Sequence, residues 1–121
     1  MSTLLLCNLS AEKRAAVWGV AVQCACRCTA VKPERFGATL AQILANEPGG
    51  TPPEQPFTEE LLVMSDLSER QMHTLLNLLR QRRIFISLKA MVTPTNAAWT
   101  VQALYGELCR EREAFARQDK E

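Results

Sequence analysis

The chain has 121 residues, with 14 Lys and Arg against 13 Asp and Glu, one His and five Cys. This length supports a single domain with its own core, and near-neutral charge lacks the basic surplus that a nucleic-acid footprint requires. An odd number of cysteines without a secretion signal fits free thiols in a reducing, cytoplasmic compartment better than a disulfide framework.

Leu4-Leu5-Leu6 precedes Cys7 but has no basic segment ahead of it. It is also far shorter than the roughly 7–15 apolar residues of a signal core. It reads instead as a strand from about Thr3 to Asn8, apolar enough to be covered on both faces. Ser10 caps a helix running to about Ala25, whose apolar run Ala15–Val22 is much too short to span a bilayer. Its apolar residues cover more than one face, so a second helix or a second protomer is expected against it. A strand from about Cys26 to Val31 follows, with Cys26, Cys28 and Ala30 on one side and Arg27, Thr29 and Val31 on the other. The alternation suits a sheet edge, and Lys32-Pro33 ends it.

Phe36, Leu40, Ile43 and Leu44 give an amphipathic helix over Arg35 to about Ala45. The Pro- and Gly-rich run Glu47–Pro56 then excludes regular structure and is expected to be an exposed, mobile loop. A second apolar strand spans about Glu60 to Ser65. Ser68 and Gln71 have the spacing of a capping box, Leu67 and Met72 that of a hydrophobic staple. Met72, Leu75, Leu76 and Leu79 form the buried stripe of the helix that follows. Arg80-Gln81-Arg82-Arg83 falls where cations offset the dipole at its end. A strand from about Ile84 to Val92 places Ile84, Ile86, Leu88 and Ala90 on one face. Thr93-Pro94-Thr95-Asn96 turns into a last helix from about Thr100, with Trp99 and Leu104 at staple positions and Val101, Leu104, Leu108 and Phe115 on its apolar face.

Strand–helix–strand therefore occurs twice, at about 3–33 and 58–94. A helix and linker at about 34–57 separate the copies, and a helix at about 100–117 closes the chain. The pattern reads as an internal duplication within one domain. It predicts an α/β fold, a small three-layer sandwich of two βαβ units. Its four-stranded, mainly parallel sheet has the order 2-1-3-4, with helices on both faces. The alternative is a ferredoxin-like α+β fold of order 4-1-3-2 with an extra C-terminal helix.

Ligands of open parallel sheets bind beyond the carboxyl ends of the strands. Here that edge gathers Asn8, Ser10, Asp66 and Ser68, with the two Ser-capped helix starts facing each other, and the turn Thr93–Asn96. Helix N-termini suit anions, although Ser10 and Ser68 need only be caps and Asn8 and Asp66 only turns. Cys24, Cys26 and Cys28 raise a thiol or metal site, but the spacing lacks the paired Cys-x-x-Cys loops of zinc sites and fits buried packing better. His73 pairs with no Ser or Cys in sequence, Glu59-Glu60 read as solvated charge, and Gly49-Gly50 is not followed by the Lys-Ser of a phosphate loop. No catalytic residues, metal or cofactor are assigned.

Pro56-Phe57-Thr58-Glu59-Glu60-Leu61-Leu62-Val63-Met64, and Leu88 through Thr100 with its Thr-Pro-Thr-Asn-x-x-Trp signature, resemble a family of small bacterial proteins known only as a domain of unknown function, DUF3783-like. Phe36-Gly37-Ala38-Thr39-Leu40 and Leu104-Tyr105-Gly106-Glu107-Leu108 extend the likeness. The resemblance implies the fold unit and a bacterial cytoplasmic origin, and it adds Lys89, Thr93, Thr95, Asn96 and Trp99 as residues to examine for ligand binding. A fainter likeness to bacterial receiver domains places Asn8 and Thr93 where such a domain needs an acid and a Lys, so phosphoryl chemistry is not expected. The resulting expectation is a non-enzymatic protein-interaction or regulatory module that binds a partner or, through its first helix, itself. A small-ligand or anion sensor is the alternative, and a thiol or metal site at Cys26 and Cys28 a lesser one.

Overall fold

Ser10, Ser68 and Thr100 each stand where an apolar segment meets a helical one. Their side-chain oxygens accept from the backbone amides of Lys13, Gln71 and Ala103, satisfying donors that a helix start leaves open. In the computed structural model, which describes residues 1–119, the strands are β1 (Thr3–Cys7), β2 (Arg27–Val31), β3 (Leu61–Ser65) and β4 (Leu88–Met91). The helices are α1 (Ala11–Gln23), α2 (Leu40–Leu44), α3 (Glu69–Gln81) and α4 (Val101–Asp119). Short helical turns at Pro33–Arg35 and Asn96–Ala98 precede α2 and α4.

The strands form one open sheet in the order β2-β1-β3-β4. This is the order expected of the three-layer fold, not of the ferredoxin-like one. β1 pairs in parallel with β2, and β3 with β4, each pair being joined by a helical crossover. The central pair is antiparallel, with Thr3 opposite Ser65 and Cys7 opposite Leu61. The two βαβ units therefore lie head to tail. An all-parallel receiver-type sheet is thereby excluded.

Alternation along the central strands separates two cores. Leu4, Leu6, Leu62 and Met64 pack beneath α1 and α3, against Val17, Val20, Leu75 and Leu79. Leu5, Cys7, Leu61 and Val63 face the other way, against Phe36, Leu40, Phe57 and the first turns of α4 at Val101 and Leu104. Full burial of such an aliphatic side chain contributes about 1.5–3 kcal/mol relative to exposure. The outer side of α1 stays uncovered: Trp18 is 43% and Val22 72% exposed.

Two segments depart from expectation. β4 is shorter than the apolar alternation, because Arg83 takes a positive φ of 56° after α3 and residues 84–87 run outside the ladder. Ile84 and Ile86 consequently join the α1/α3 core, while Leu88 and Ala90 face the α2/α4 core. The expected helix from Arg35 is broken at Gly37, and only Leu40–Leu44 is helical, started by a capping box of Thr39 and Gln42. Backbone folding explains the break. A Cβ on Gly37 would lie 1.8 Å from the Thr51 carbonyl oxygen, and Gly50, at φ +84°, sits against Gly37 and Ala38. Arg35 donates to the carbonyls of Glu47 and Gly49. The Pro- and Gly-rich segment is therefore solvent-exposed yet pinned to residues 35–38.

Gly37→Ala is expected to cost about 1–3 kcal/mol or more, because the clash is with backbone and cannot be relieved by a rotamer change. Gly106→Ala is the contrasting variant, since its nearest neighbour is the Arg110 side chain at 3.8 Å, and helix propensity should raise stability by up to about 1 kcal/mol. Urea denaturation midpoints of the two variants check both signs.

Candidate functional site

The antiparallel centre of the sheet sends the carboxyl ends of β1 and β3 to opposite edges. Asn8 and Asp66 therefore do not face each other, and the shared anion site expected from the two Ser-capped helix starts is not assembled. Continuous apolar strands signal burial on both faces, which holds for either direction of pairing. Each residue is instead engaged locally. Asn8, at φ 63°, donates through Nδ2 to the carbonyls of Phe57 (2.9 Å) and Glu59 (3.0 Å). Asp66, at φ 60°, accepts from the Met1 ammonium at 2.7 Å, and this bond and charge hold its carboxyl below the usual carboxylate range. Ser10 and Ser68 act as helix caps.

The other five expected residues do converge. Lys89, Thr93, Thr95, Asn96 and Trp99 line one open groove of about 570 Å³ at β4. α4 supplies the facing wall with Leu104, Glu107, Leu108 and Glu111, and Met91 lies exposed in the groove. β4 is also an edge strand. The Leu88 amide donates to Glu60 and the Val92 amide to Met64. The period-two alternation of the backbone therefore points the amides and carbonyls of Lys89 and Met91 toward the open side.

Asn96 decides how much of that edge is available. Its Nδ2 donates to the Met91 carbonyl at 3.0 Å, its Oδ1 accepts from the Thr93 amide at 2.8 Å, and its own amide donates to Thr93 Oγ1 at 3.1 Å. With 8% exposure and its polar atoms engaged, Asn96 ends the strand and shapes the groove floor instead of offering itself to a ligand. Thr93 is committed to the same turn. Lys89, whose Nζ reaches the Ile86 carbonyl at 3.4 Å, stays exposed with Thr95, and Trp99 is half-buried.

Sequence reasoning missed Met91, Glu107 and Glu111. A signal was present: Leu104, Glu107, Leu108 and Glu111 share one side of α4 at i, i+3, i+4 and i+7 spacing. Phe115, expected on that helix's buried face, is 68% exposed. Glu59 and Glu60 are also more than solvated charge. Arg112 donates to both Glu59 carboxylate oxygens, at 2.7 and 3.1 Å, and Tyr105 Oη donates at 3.1 Å. The Arg112 bond holds the Glu59 carboxyl below its ordinary range. Glu60 pairs with Lys13 of α1 at 2.9 Å. Phe36, Phe57 and Tyr105 stack in series, with centroids 4.4 and 4.3 Å apart, fixing α4 and hence the groove wall.

The thiols are set for packing. Burial pushes Cys7 up to about 12 and Cys28 to about 11, and it raises Cys24 and Cys26 as well. A protonated thiol is neither a nucleophile nor a ready metal ligand. Cys26 and Cys28 pack against the α1/α3 core, and among the described residues no three His, Cys, Asp or Glu side chains gather into a metal-sized cluster. Among the same residues, no helix is long and apolar enough to cross a membrane.

Fold and groove together define a three-layer α/β domain with an open edge strand beside an apolar, acid-walled cleft. Residues 60–115 match the model of a family described as a domain of unknown function (DUF3783), and this part of the chain is similar to that domain. The match runs from the start of β3 into α4 and contains every groove residue named above. The Phe36–Leu40 run lies outside it. No curated protein and no solved structure matches the chain.

Asn96→Ala removes the side-chain partners of the Thr93 amide and the Met91 carbonyl, and a loss of about 1–2 kcal/mol in folding stability is expected. Thr95→Ala, at an exposed position with no such bond, should stay within about 0.5 kcal/mol of the parent. Chemical denaturation of the two variants separates a turn-holding role of Asn96 from a ligand-binding one.

Proposed function

We propose that this protein is a non-enzymatic protein-interaction module whose partner is held at the open edge of β4. One observation carries the reading: an unpaired strand edge runs beside a groove with exposed apolar surface at Met91 and Trp99. Extended peptides add to sheet edges that no neighbouring element covers. Lys89 alone accounts for protecting a four-residue strand, but not for the cleft beside it. The small-ligand or anion sensor draws less support, because Asn8, Asp66, Thr93 and Asn96 each already hydrogen-bond within the fold. The head-to-tail units, each with a Ser-capped 13-residue helix, support the reading of an internal duplication. Five unpaired cysteines support a reducing, cytoplasmic setting, and the family resemblance supports a bacterial one.

Selection of displayed random peptides on the immobilised protein tests the groove. Binders should be enriched whose affinity falls about tenfold, or about 1.4 kcal/mol, on Met91→Glu, with circular dichroism unchanged. Enrichment of nothing, or of binders indifferent to Met91, would overturn the assignment.

A second contact, of the protein with its own copy, is favoured by α1. Ala11, Ala15, Trp18 and Val22 stand exposed at successive spacings of four, three and four, the pattern of a coiled-coil seam. Light scattering at micromolar concentration should give a dimer mass that Val22→Glu returns to monomer. A monomer persisting at the highest soluble concentration would rule this contact out.

A further inference from the structure

We infer that the β4 edge selects an extended partner segment whose two faces carry opposite charge: acidic and apolar toward α3, basic and apolar toward α4. This rests on the reading of the groove as a peptide site and specifies what that peptide must look like. A second cavity, of about 280 Å³, adjoins β4 on the α3 side. Leu76, Leu79, Ile84, Phe85 and Ile86 make it apolar, and its only charged lining residues are Arg80 and Lys89. Phe85 is 71% exposed at its mouth. Lys89 also belongs to the α4-side groove, so the two depressions meet at the middle of the strand. There the remaining charges are the carboxylates of Glu107 and Glu111. Glu107 is paired with Arg110 at 2.6 Å, whereas Glu111 makes no ion pair among the described residues.

Successive side chains of a strand point to opposite faces of the sheet. A segment added to β4 through the outward amides of Lys89 and Met91 and the Lys89 carbonyl would send alternate residues toward α3 and toward α4. One set meets apolar surface with two cations, the other apolar surface with two carboxylates. Charge complementarity then fixes which face of the segment turns which way, and so its register, since a shift by one residue exchanges the faces. A second copy of this chain is a poor occupant. Two-fold pairing of β4 with its own copy would set two Lys89 ammonium groups opposite or one step apart on the same face, where like charges repel.

The test uses two synthetic peptides of identical composition, about ten residues long, which is sufficient to span a strand. One carries Ile and Glu at odd positions and Val and Lys at even ones. The other places Glu and Lys on one face and all aliphatic residues on the opposite face. Fluorescence anisotropy on the full chain should show the first binding about tenfold more tightly than the second. Glu111→Lys should weaken the first peptide by a similar factor, and replacing its lysines by Glu should recover the loss. Met91→Pro should abolish binding while Met91→Ala only weakens it, because an outward-facing edge amide can be removed without disturbing the sheet. Equal binding of the two peptides, with library-selected binders still competing at Met91, would overturn the charge rule and leave the groove assignment standing. Failure of every peptide, selected ones included, would remove both. A concentration-dependent mass that Met91→Pro abolishes and Val22→Glu does not would show a second copy on β4 and overturn the inference.

Discussion

The antiparallel contact between β1 and β3 is the constraint from which the rest of the architecture follows. Each flanking pair is an ordinary parallel unit closed by a crossover helix. Joining them head to tail leaves α1 and α3 on the same face and sends the two strand carboxyl ends in opposite directions. An all-parallel sheet of the same strand order would have gathered Asn8, Asp66 and both helix starts at one crevice. Here those four residues do structural work at two distant corners, and the accessible surface moves to the sheet margin at β4.

The second face of the sheet is built from segments with little regular structure of their own. Phe36, Phe57 and Tyr105 stack across three separate parts of the chain, and Arg112 reaches back to Glu59 beside them. Gly37 permits the backbone of Thr51 to lie against it. These contacts, more than any helix propensity, hold the 36–57 region and the first turns of α4 together. They also set the separation between α4 and β4 that makes the groove.

Strand order, the edge and centre assignments, and the caps at Ser10 and Ser68 were legible in the sequence because each rests on a local pattern. Apolar runs report burial, alternation reports exposure of one face, and hydroxyl–amide spacing reports a helix start. The sign of the β1–β3 pairing was not legible, since a strand buried on both faces has the same composition in either direction. Ile84 to Ala90 misled for a related reason. Period-two apolarity runs from residues 84–87, which lie outside the ladder, into β4, so one pattern spans two cores. Of the site, the turn from Thr93 to Asn96 was recognisable by its polar density, and its grouping with Lys89 and Trp99 is real. The contribution of α4 was hidden because Glu107 and Glu111 look like the solvated side of any surface helix. Only the position of that helix turns them into a wall.

The four-residue length of β4 has a consequence for solubility. The sheet has two unlike edges, β2 and β4, and an unlike pair is the geometry that allows one molecule to add to the next without closing into a ring. Asn96 shortens the available edge by occupying the Met91 carbonyl, and Lys89 on β4 and Arg27 on β2 each put an exposed charge on an edge strand. Chain-to-chain growth of the sheet is thus opposed at both margins by ordinary surface residues. The turn that shapes the groove beside β4 thus also limits how much of that edge is free to pair with another strand.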